Sequence, residues 1–493
     1  MFKTESALKI NSDDNVGVAL RDIEKDEVML GIKAKNAIPK GHKIALVDIS
    51  QSENVIKYGY PIGHATVSIE AGQHVHTHNL KTNLKGVLEY QYEPKLAEKS
   101  EKKQGTFMGY KRANGKVGIR NEVWIINTVG CVNKIAEKIV KESERFLGKG
   151  VDGIYTYTHP FGCSQLGDDH VHTQQTLANM VNHPNAGAVL VLGLGCENNN
   201  VDEFKKVLGD WDSERVKFLV AQDSEDEVEE GINIVSQLVE YASKFEREEV
   251  CISNLVIGLK CGGSDGLSGI TANPLVGSLS DRLVEHGGTT ILTEVPEMFG
   301  AETILMSRCE SEELFNKTVD LINNFKEYFI RYNQEVYENP SPGNKDGGIT
   351  SLEDKALGCT QKGGTSNVTD VLDYGESVHQ AGLNLLKSPG NDMVAVTALM
   401  SAGAHIVLFT TGRGTPLGAP VPTVKISSNS ELAQRKSSWI DFDAGALLED
   451  ISMNNLTDKF FEYILDLASG KIQAKNEING YREISIFKDG VTL

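Results

Sequence analysis

The chain has 493 residues, 40% hydrophobic and 24% charged, with a formal net charge of −19. That length is too great for one core and predicts two to four domains, while the acidic balance argues against nucleic acid or an anionic membrane surface as the main partner. No cationic-then-apolar leader opens the chain and no apolar run reaches the ~18 residues of a membrane span; seven cysteines, an odd number, predict reduced thiols and a cytoplasmic location.

Residues 1–91 read as a small all-β domain. Short β-type runs at 16–20, 43–47 and 65–69 are divided by turn signals such as Pro39-Lys40-Gly41 and Ala71-Gly72, with little helical periodicity. Its most chemical stretch holds His74, His76 and His78. Period two on a strand places all three on one face, either for metal binding or proton transfer at a domain interface, or as a polar face that hydrogen-bonds to its neighbours. We favour the first reading and take His76 as a catalytic candidate. Residues 92–106 are charged and lack large apolar side chains after Leu96, so 92–107 reads as a solvated linker.

A middle α/β domain is expected over 108–248. Arg112, with Lys111 and Arg120, is a candidate for an anionic substrate because guanidinium matches carboxylate geometry; a solvated hairpin around Asn114-Gly115 is the alternative. The buried-looking strands 123–129, 153–157 and 188–194 each run into a glycine–cysteine turn carrying Cys131, Cys163 and Cys196. These cysteines lie 32 and 33 residues apart, the size of one strand–helix unit of a parallel sheet. In a doubly wound sheet all strands end on one edge, where ligands bind, so several cysteines are expected to converge. The competing reading of each is a small core residue. The densest stretch, 158–172, adds Asp168, His170 and His172 to Cys163.

A C-terminal α/β domain is expected over 249–493. Its first strand runs into Lys260-Cys261 and a loop with four glycines that ends at a helix start. We read that loop, with Lys260 and Ser264, as an anion holder; its spacing matches neither a dinucleotide loop nor a P-loop. Glu294, Glu297 and Glu302 follow the next strand as candidates for metal ligation or acid–base work, or else as helix-start charges. A Gly/Pro-rich excursion is bracketed by 339–344 and 358–364. The strand 405–410 delivers Arg413 between two glycines, a second carboxylate clamp.

Taken in order, these motifs closely resemble the altronate/galactarate dehydratase family. They are Tyr58-Gly59-Tyr60-Pro61-Ile62-Gly63, His74-Val75-His76-Thr77-His78-Asn79, Arg112-Ala113-Asn114-Gly115, Phe161-Gly162-Cys163-Ser164-Gln165 and Gly193-Leu194-Gly195-Cys196-Glu197-Asn198, followed by residues 261–269, 293–297, 340–344 and 411–416. The resemblance implies a β-clip (SAF-type) first domain, an α/β middle domain and a Rossmann-like parallel-sheet C-terminal domain. It also implies a hydro-lyase of hexuronate catabolism that converts D-altronate into 2-keto-3-deoxy-D-gluconate and water, with galactarate or a related sugar acid as the alternative substrate. Ferrous iron is the expected cofactor, manganese the alternative ion, with an iron–sulfur cluster left open; a homodimer is the usual assembly. A lyase releasing sulfite from sulfolactate is disfavoured because those enzymes split the two parts into separate chains. A sugar-acid sensor without turnover is the non-catalytic alternative.

On chemistry and loop placement, the metal is expected among Cys163, Cys196, Cys261 and Asp168, since thiolate and imidazole favour iron or zinc over magnesium. His170, His172 and His76 are the candidate bases, and Arg413, Lys260, Ser264 and Arg112 the substrate-holding residues.

Overall fold

The computed structural model describes residues 6–98, 101–148, 150–336, 339–449 and 451–493. The first domain is built of strands two to six residues long, divided by the expected turns. Four of them, Ala7–Leu8, Val16–Ala19, Lys43–Ala45 and His74–Val75, form an antiparallel sheet in that order. A second sheet pairs Asn54–Lys57, Tyr60–Ala65 and Leu80–Lys81. Such short strands enclose a small core, and that core is completed from outside: Val16, Val55, Ile62 and Leu80 pack with Ala356 and Leu357 of the C-terminal part.

The segment that follows differs from a solvated linker at both ends: Thr106 and Phe107 already belong to the strand Thr106–Lys111, with Phe107 in the C-terminal core. Tyr90 and Tyr92 pack on the C-terminal core, their hydroxyls donating to Glu302 (2.6 Å) and the Cys309 carbonyl (2.8 Å). A tyrosine has an apolar face to bury and a polar tip to pair, so two of them turn a charged stretch into a strap. The residues from Glu93 to Glu98 stay exposed, as their composition predicts.

The middle domain holds a four-stranded parallel sheet in the order Gly153–Thr156, Glu122–Asn127, Ala186–Gly193, Val216–Val220. Its two central strands are buried along their whole length, which explains their unbroken apolar runs. Helices Asn133–Ser143 and Glu227–Ala242 cover one face. On the other, Trp124, Leu177 and Met180 share a core with Leu399, Phe409 and Ile484 of the C-terminal domain.

That domain is a seven-stranded parallel sheet: Val368–Leu372, Gly382–Leu386, Thr289–Leu292, Val256–Cys261, Ile406–Thr411, Thr423–Ser427, Phe442–Asp443. The first strand in the chain, Val256–Cys261, lies in the middle; the next three build outward to one side and the last three to the other. The winding therefore reverses between Val256–Cys261 and Ile406–Thr411, and a crevice opens at their carboxyl ends. Between the two α/β parts, Thr106–Lys111 pairs antiparallel with both Val117–Gly118 and Glu248–Cys251. The chain's end returns to the middle domain, where Asp169 accepts the Asp489 and Gly490 amides at 2.9 and 3.0 Å.

Candidate active site

The last two residues of the central strand, Lys260 and Cys261, sit at the switch point and are wholly buried. The neighbouring strand Thr289–Leu292 ends in Glu294, held with a left-handed backbone (φ 67°), and a single 3-10 turn then presents Glu297. Lys260 pairs with Glu294 and lies 2.7 Å from Asp392, which opens the helix Asp392–Ser401. A third element closes the group: the helix Leu352–Cys359, all eight residues buried, with Lys355 and Cys359 on the side of the crevice and Lys362 just beyond its end.

Four contacts define the centre. The Cys261 and Cys359 sulfurs lie 3.4 Å apart, Cys261 Sγ is 3.0 Å from a Glu297 oxygen, Lys362 Nζ is 2.9 Å from Cys261 Sγ, and Lys355 Nζ is 2.7 Å from Glu297. The hydrogen bond from Cys359 brings the Cys261 thiol down to about 6, aided by Lys362 and Lys355 and opposed by burial and Glu297. Cys359, as the donor, is pushed well up. Burial would raise Glu297, but Lys355, Lys362 and Lys260 outweigh it and hold the carboxyl far below its usual range. Glu294 goes the other way: burial and the Glu297 charge push it to about 8 despite Lys260. Two buried carboxyls are thus separated into a proton holder and a permanent anion.

Beside this centre is a cavity of about 600 Å³, walled by Cys261, Glu297, Asn344, Lys355 and Asp392 among others. An ammonium, carboxylates, an amide and a thiol on one wall suit a small, anionic, hydroxylated molecule.

The first domain docks on the far side of the same helix. Lys43 and Lys57 both reach Asp354, at 2.8 and 2.9 Å, and Glu353 accepts from Thr82 Oγ1 (2.9 Å) and the Asn83 amide (2.7 Å). The histidine face forms differently from the alternation expected of it. Only His74–Val75 is strand and His76 to Asn79 turn, yet the rings gather, with His42 as an unforeseen fourth member. His42 lies with its ring centroid 5.1 Å from His74 and 4.8 Å from His76. His76 Nδ1 is 3.0 Å from Thr350 Oγ1 and His42 Nε2 is 3.2 Å from the Asp346 carbonyl, so the cluster lies against the end of the short helix Pro342–Asp346, which carries Asn344 to the cavity. Burial lowers His74 to about 4 and His76 to about 3.

The four residues expected to share a metal are placed on two sheet edges. Cys261 joins Glu297 and Cys359 in a group whose ligand atoms all lie within 4.8 Å of one another. Cys163 and Cys196 are exposed on the middle-domain edge, and Asp168 stands with His172 at a separate cavity lined also by Tyr328, Lys387 and Phe487. His172 packs edge-on against Tyr374, and the Nδ1 atoms of His170 and His172 are buried without a hydrogen-bond partner among the described residues. Of the substrate-holding candidates, Lys260 is in the centre, and exposed Arg413 stands at the rim, donating to the Gly343 carbonyl at 3.1 Å. Ser264 is buried at the base of the loop, its carbonyl accepting from Asn344 at 2.9 Å. Arg112 is spent on the fold: its guanidinium donates to Pro184 O, Asn121 Oδ1 and Arg120 O, each at 2.8 Å, and burial lowers it to about 9.

Local sequence pattern does not mark Lys355, Cys359, Lys362 or Asp392 as site residues. A charged Glu353-Asp354-Lys355 run reads locally as a solvated helix start. The one local signal is Cys359 itself, close to Lys362 and three glycines at the end of the long Gly/Pro-rich excursion.

Fold and site together define a multidomain α/β enzyme with a thiol–carboxylate–lysine centre at the switch point of its larger sheet. Three family models cover the chain: the altronate/galactarate dehydratase SAF domain over residues 5–83, the D-galactarate dehydratase/altronate hydrolase second domain over 109–243, and the D-galactarate/altronate dehydratase C-terminal domain over 252–492. The chain belongs to the altronate/galactarate dehydratase family. It is 54% identical to the altronate dehydratases of Bacillus subtilis (strain 168) and Escherichia coli (strain K12), over 99% of this chain and 100% and 99% of theirs. With the Escherichia coli (strain K12) galactarate dehydratase (L-threo-forming) it is 32% identical, over 97% of this chain and 96% of that one.

Proposed function

We propose that this chain is a hydro-lyase that dehydrates D-altronate to 2-keto-3-deoxy-D-gluconate and water. The observation that carries the reading is the 54% identity, end to end, with two altronate dehydratases, against 32% with a galactarate dehydratase.

The reaction removes the proton at C2 and the hydroxyl at C3, and the resulting enol becomes the keto acid without net redox change. The C2 proton is weakly acidic, so the carboxylate beside it must be held and its developing charge stabilised. We assign that hold to Lys355 at the cavity wall, with Asn344 for a hydroxyl. Asp392, also on the wall and 2.7 Å from Lys260, takes the C2 proton. Glu294, protonated near neutrality, keeps a proton within reach of the same lysine.

We propose divalent iron at Cys261, Cys359 and Glu297. Two sulfurs and a carboxylate oxygen within 4.8 Å of one another are a donor set for iron, which would take the place of the Cys261 proton now donated to Glu297. When bound, iron supplies a Lewis acid for the substrate's carboxylate and hydroxyl oxygens. The seven free cysteines support a reducing, cytoplasmic setting, and a homodimer remains the assembly that light scattering would test.

The test is keto-acid formation from D-altronate, galactarate and sulfolactate, run anaerobically with and without ferrous iron. Iron-dependent turnover of D-altronate alone is expected. Turnover of galactarate alone would move the chain to that substrate, and binding of sugar acids without turnover would make it a sensor.

A further inference from the structure

Cys131, Cys163 and Cys196 take no part in the centre described above. Each stands in the turn after one of three adjacent parallel strands, Glu122–Asn127, Gly153–Thr156 and Ala186–Gly193, and the strand carrying Cys131 lies between the other two. All three thiols are on the same carboxyl edge, all are exposed, and none is in a disulfide. Free cysteine is usually among the most buried residues, so three exposed at successive strand ends ask for a chemical reason.

The turns are also tied to one another in every pairing. Gly130 N donates to Phe161 O at 2.9 Å, joining the Cys131 and Cys163 turns. Asn199 N donates to Gly162 O at 3.0 Å and Ser164 N to Asn198 Oδ1 at 2.9 Å, joining those of Cys163 and Cys196. Asn199 Nδ2 donates to Thr128 O at 3.0 Å and Thr128 Oγ1 to buried Glu197 at 2.6 Å, closing the triangle. The C-terminal residue adds a tie, Leu493 N to Ser164 O at 3.0 Å. Exposed thiols are thus held on a rigid frame.

We propose that Cys131, Cys163 and Cys196 form a three-thiolate site for a cubane iron–sulfur cluster, leaving one iron without a protein sulfur. Among the described residues, the group tight enough for a single ion is Cys261, Glu297 and Cys359; the three edge sulfurs do not gather within 4.8 Å of one another. A cubane holds its thiolates farther apart than one ion does, so three cysteines on neighbouring, mutually hydrogen-bonded turns are placed for a cluster and not for a single ion. Gln222 Nε2, 3.5 Å from Cys196 Sγ, supplies the N–H donor to sulfur that tunes such centres. Three thiolates are one fewer than a cubane takes, so the remaining iron is open to a carboxylate or hydroxyl oxygen from a small hydroxy acid or solvent. The site loads by ligand exchange: each protein thiol passes its proton to an outgoing thiolate of a preformed cluster, with no net electron transfer.

The test is anaerobic loading of the full chain with a preformed, small-thiol-ligated cluster, read by iron and acid-labile sulfide content, visible absorption and electron paramagnetic resonance after one-electron reduction. About four sulfides per chain and a brown, reducible centre are expected. Cys131→Ser, Cys163→Ser and Cys196→Ser should each lose it, while Cys251→Ser and Cys261→Ser retain it. Loaded wild type should also show three fewer alkylatable thiols than unloaded protein, a readout that does not depend on variants folding. Iron bound without sulfide, no cluster uptake, or a cluster that survives all three edge substitutions and is lost with Cys261→Ser would overturn the proposal. Neither D-altronate turnover nor its absence bears on these readouts, so this proposal and the proposed activity stand or fall separately.

Discussion

Lys43 and Asp354, 311 residues apart in the chain, meet at 2.8 Å with neither side chain reached by solvent. Lys57 arrives at the other carboxylate oxygen at 2.9 Å. One buried anion therefore receives two cations from a different domain, and the next residue in the helix, Lys355, faces the cavity. Burial drives Lys43 down to about 8, whereas at Lys57 the attraction of Asp354 outweighs burial and raises it. The docking of the first domain and the placing of a cavity lysine share one helical turn.

Asp354→Asn tests that coupling. It leaves two buried ammonium groups against a neutral amide, and removing one partner of a buried pair costs about 3–5 kcal/mol. Chemical denaturation should show a loss of that size, and limited proteolysis should release the first domain sooner. An unchanged unfolding curve would mean the lysines find water.

Gly266 gives a steric version of the same test. A Cβ there would lie 1.9 Å from the Gly41 carbonyl oxygen, backbone against backbone across the domain interface. Gly266→Ala should cost about 1–3 kcal/mol through overpacking and lower turnover by loosening the loop beside Asn344. Gly115, whose Cβ would meet nothing, is the control, with only its positive φ to strain it.

Glu297→Gln keeps the shape of the centre and removes the charge that Lys355 and the proposed iron share. The expected result is a fall in kcat of about 10²–10³-fold together with loss of tightly held iron, measured by metal analysis after gel filtration. Retained iron with the same fall in rate would transfer the ligand role from Glu297 to other groups.

His405 makes a prediction for pH. Burial holds its imidazole neutral and lowers it from 6.5 to about 4, while its Nδ1 accepts the Val256 amide at 3.0 Å. Between those values the unfolded chain binds the proton and the folded chain does not. This contribution is therefore complete above pH 6.5 and is lost as pH falls toward 4, a change of about 3 kcal/mol. His405→Gln should flatten the stability profile over that window; parallel profiles for the two proteins would contradict it.

Much of the architecture is legible in the sequence. Short runs broken by turn residues marked the β-type first domain, and apolar runs ending in glycine–cysteine turns marked the parallel strands, because strand periodicity and turn chemistry act over a few residues. Tyr90 and Tyr92 were the exception: what a tyrosine packs on is not a local property.

The site was legible only in part, and the reason lies in strand order. The sequence by itself determined that Cys131, Cys163, Cys196 and Cys261 stand at strand ends. It did not determine that the first three end on one sheet and the fourth on another, since that depends on which strands pair. It also could not show that Glu353-Asp354-Lys355, a run suited to water, is buried. Lys43, Lys57, Thr82 and Asn83 of another domain neutralise Glu353 and Asp354, and Glu297 neutralises Lys355. Local pattern determined the elements; only tertiary structure decided which charges met, because buried charge is stable only beside partners that the chain brings from far away.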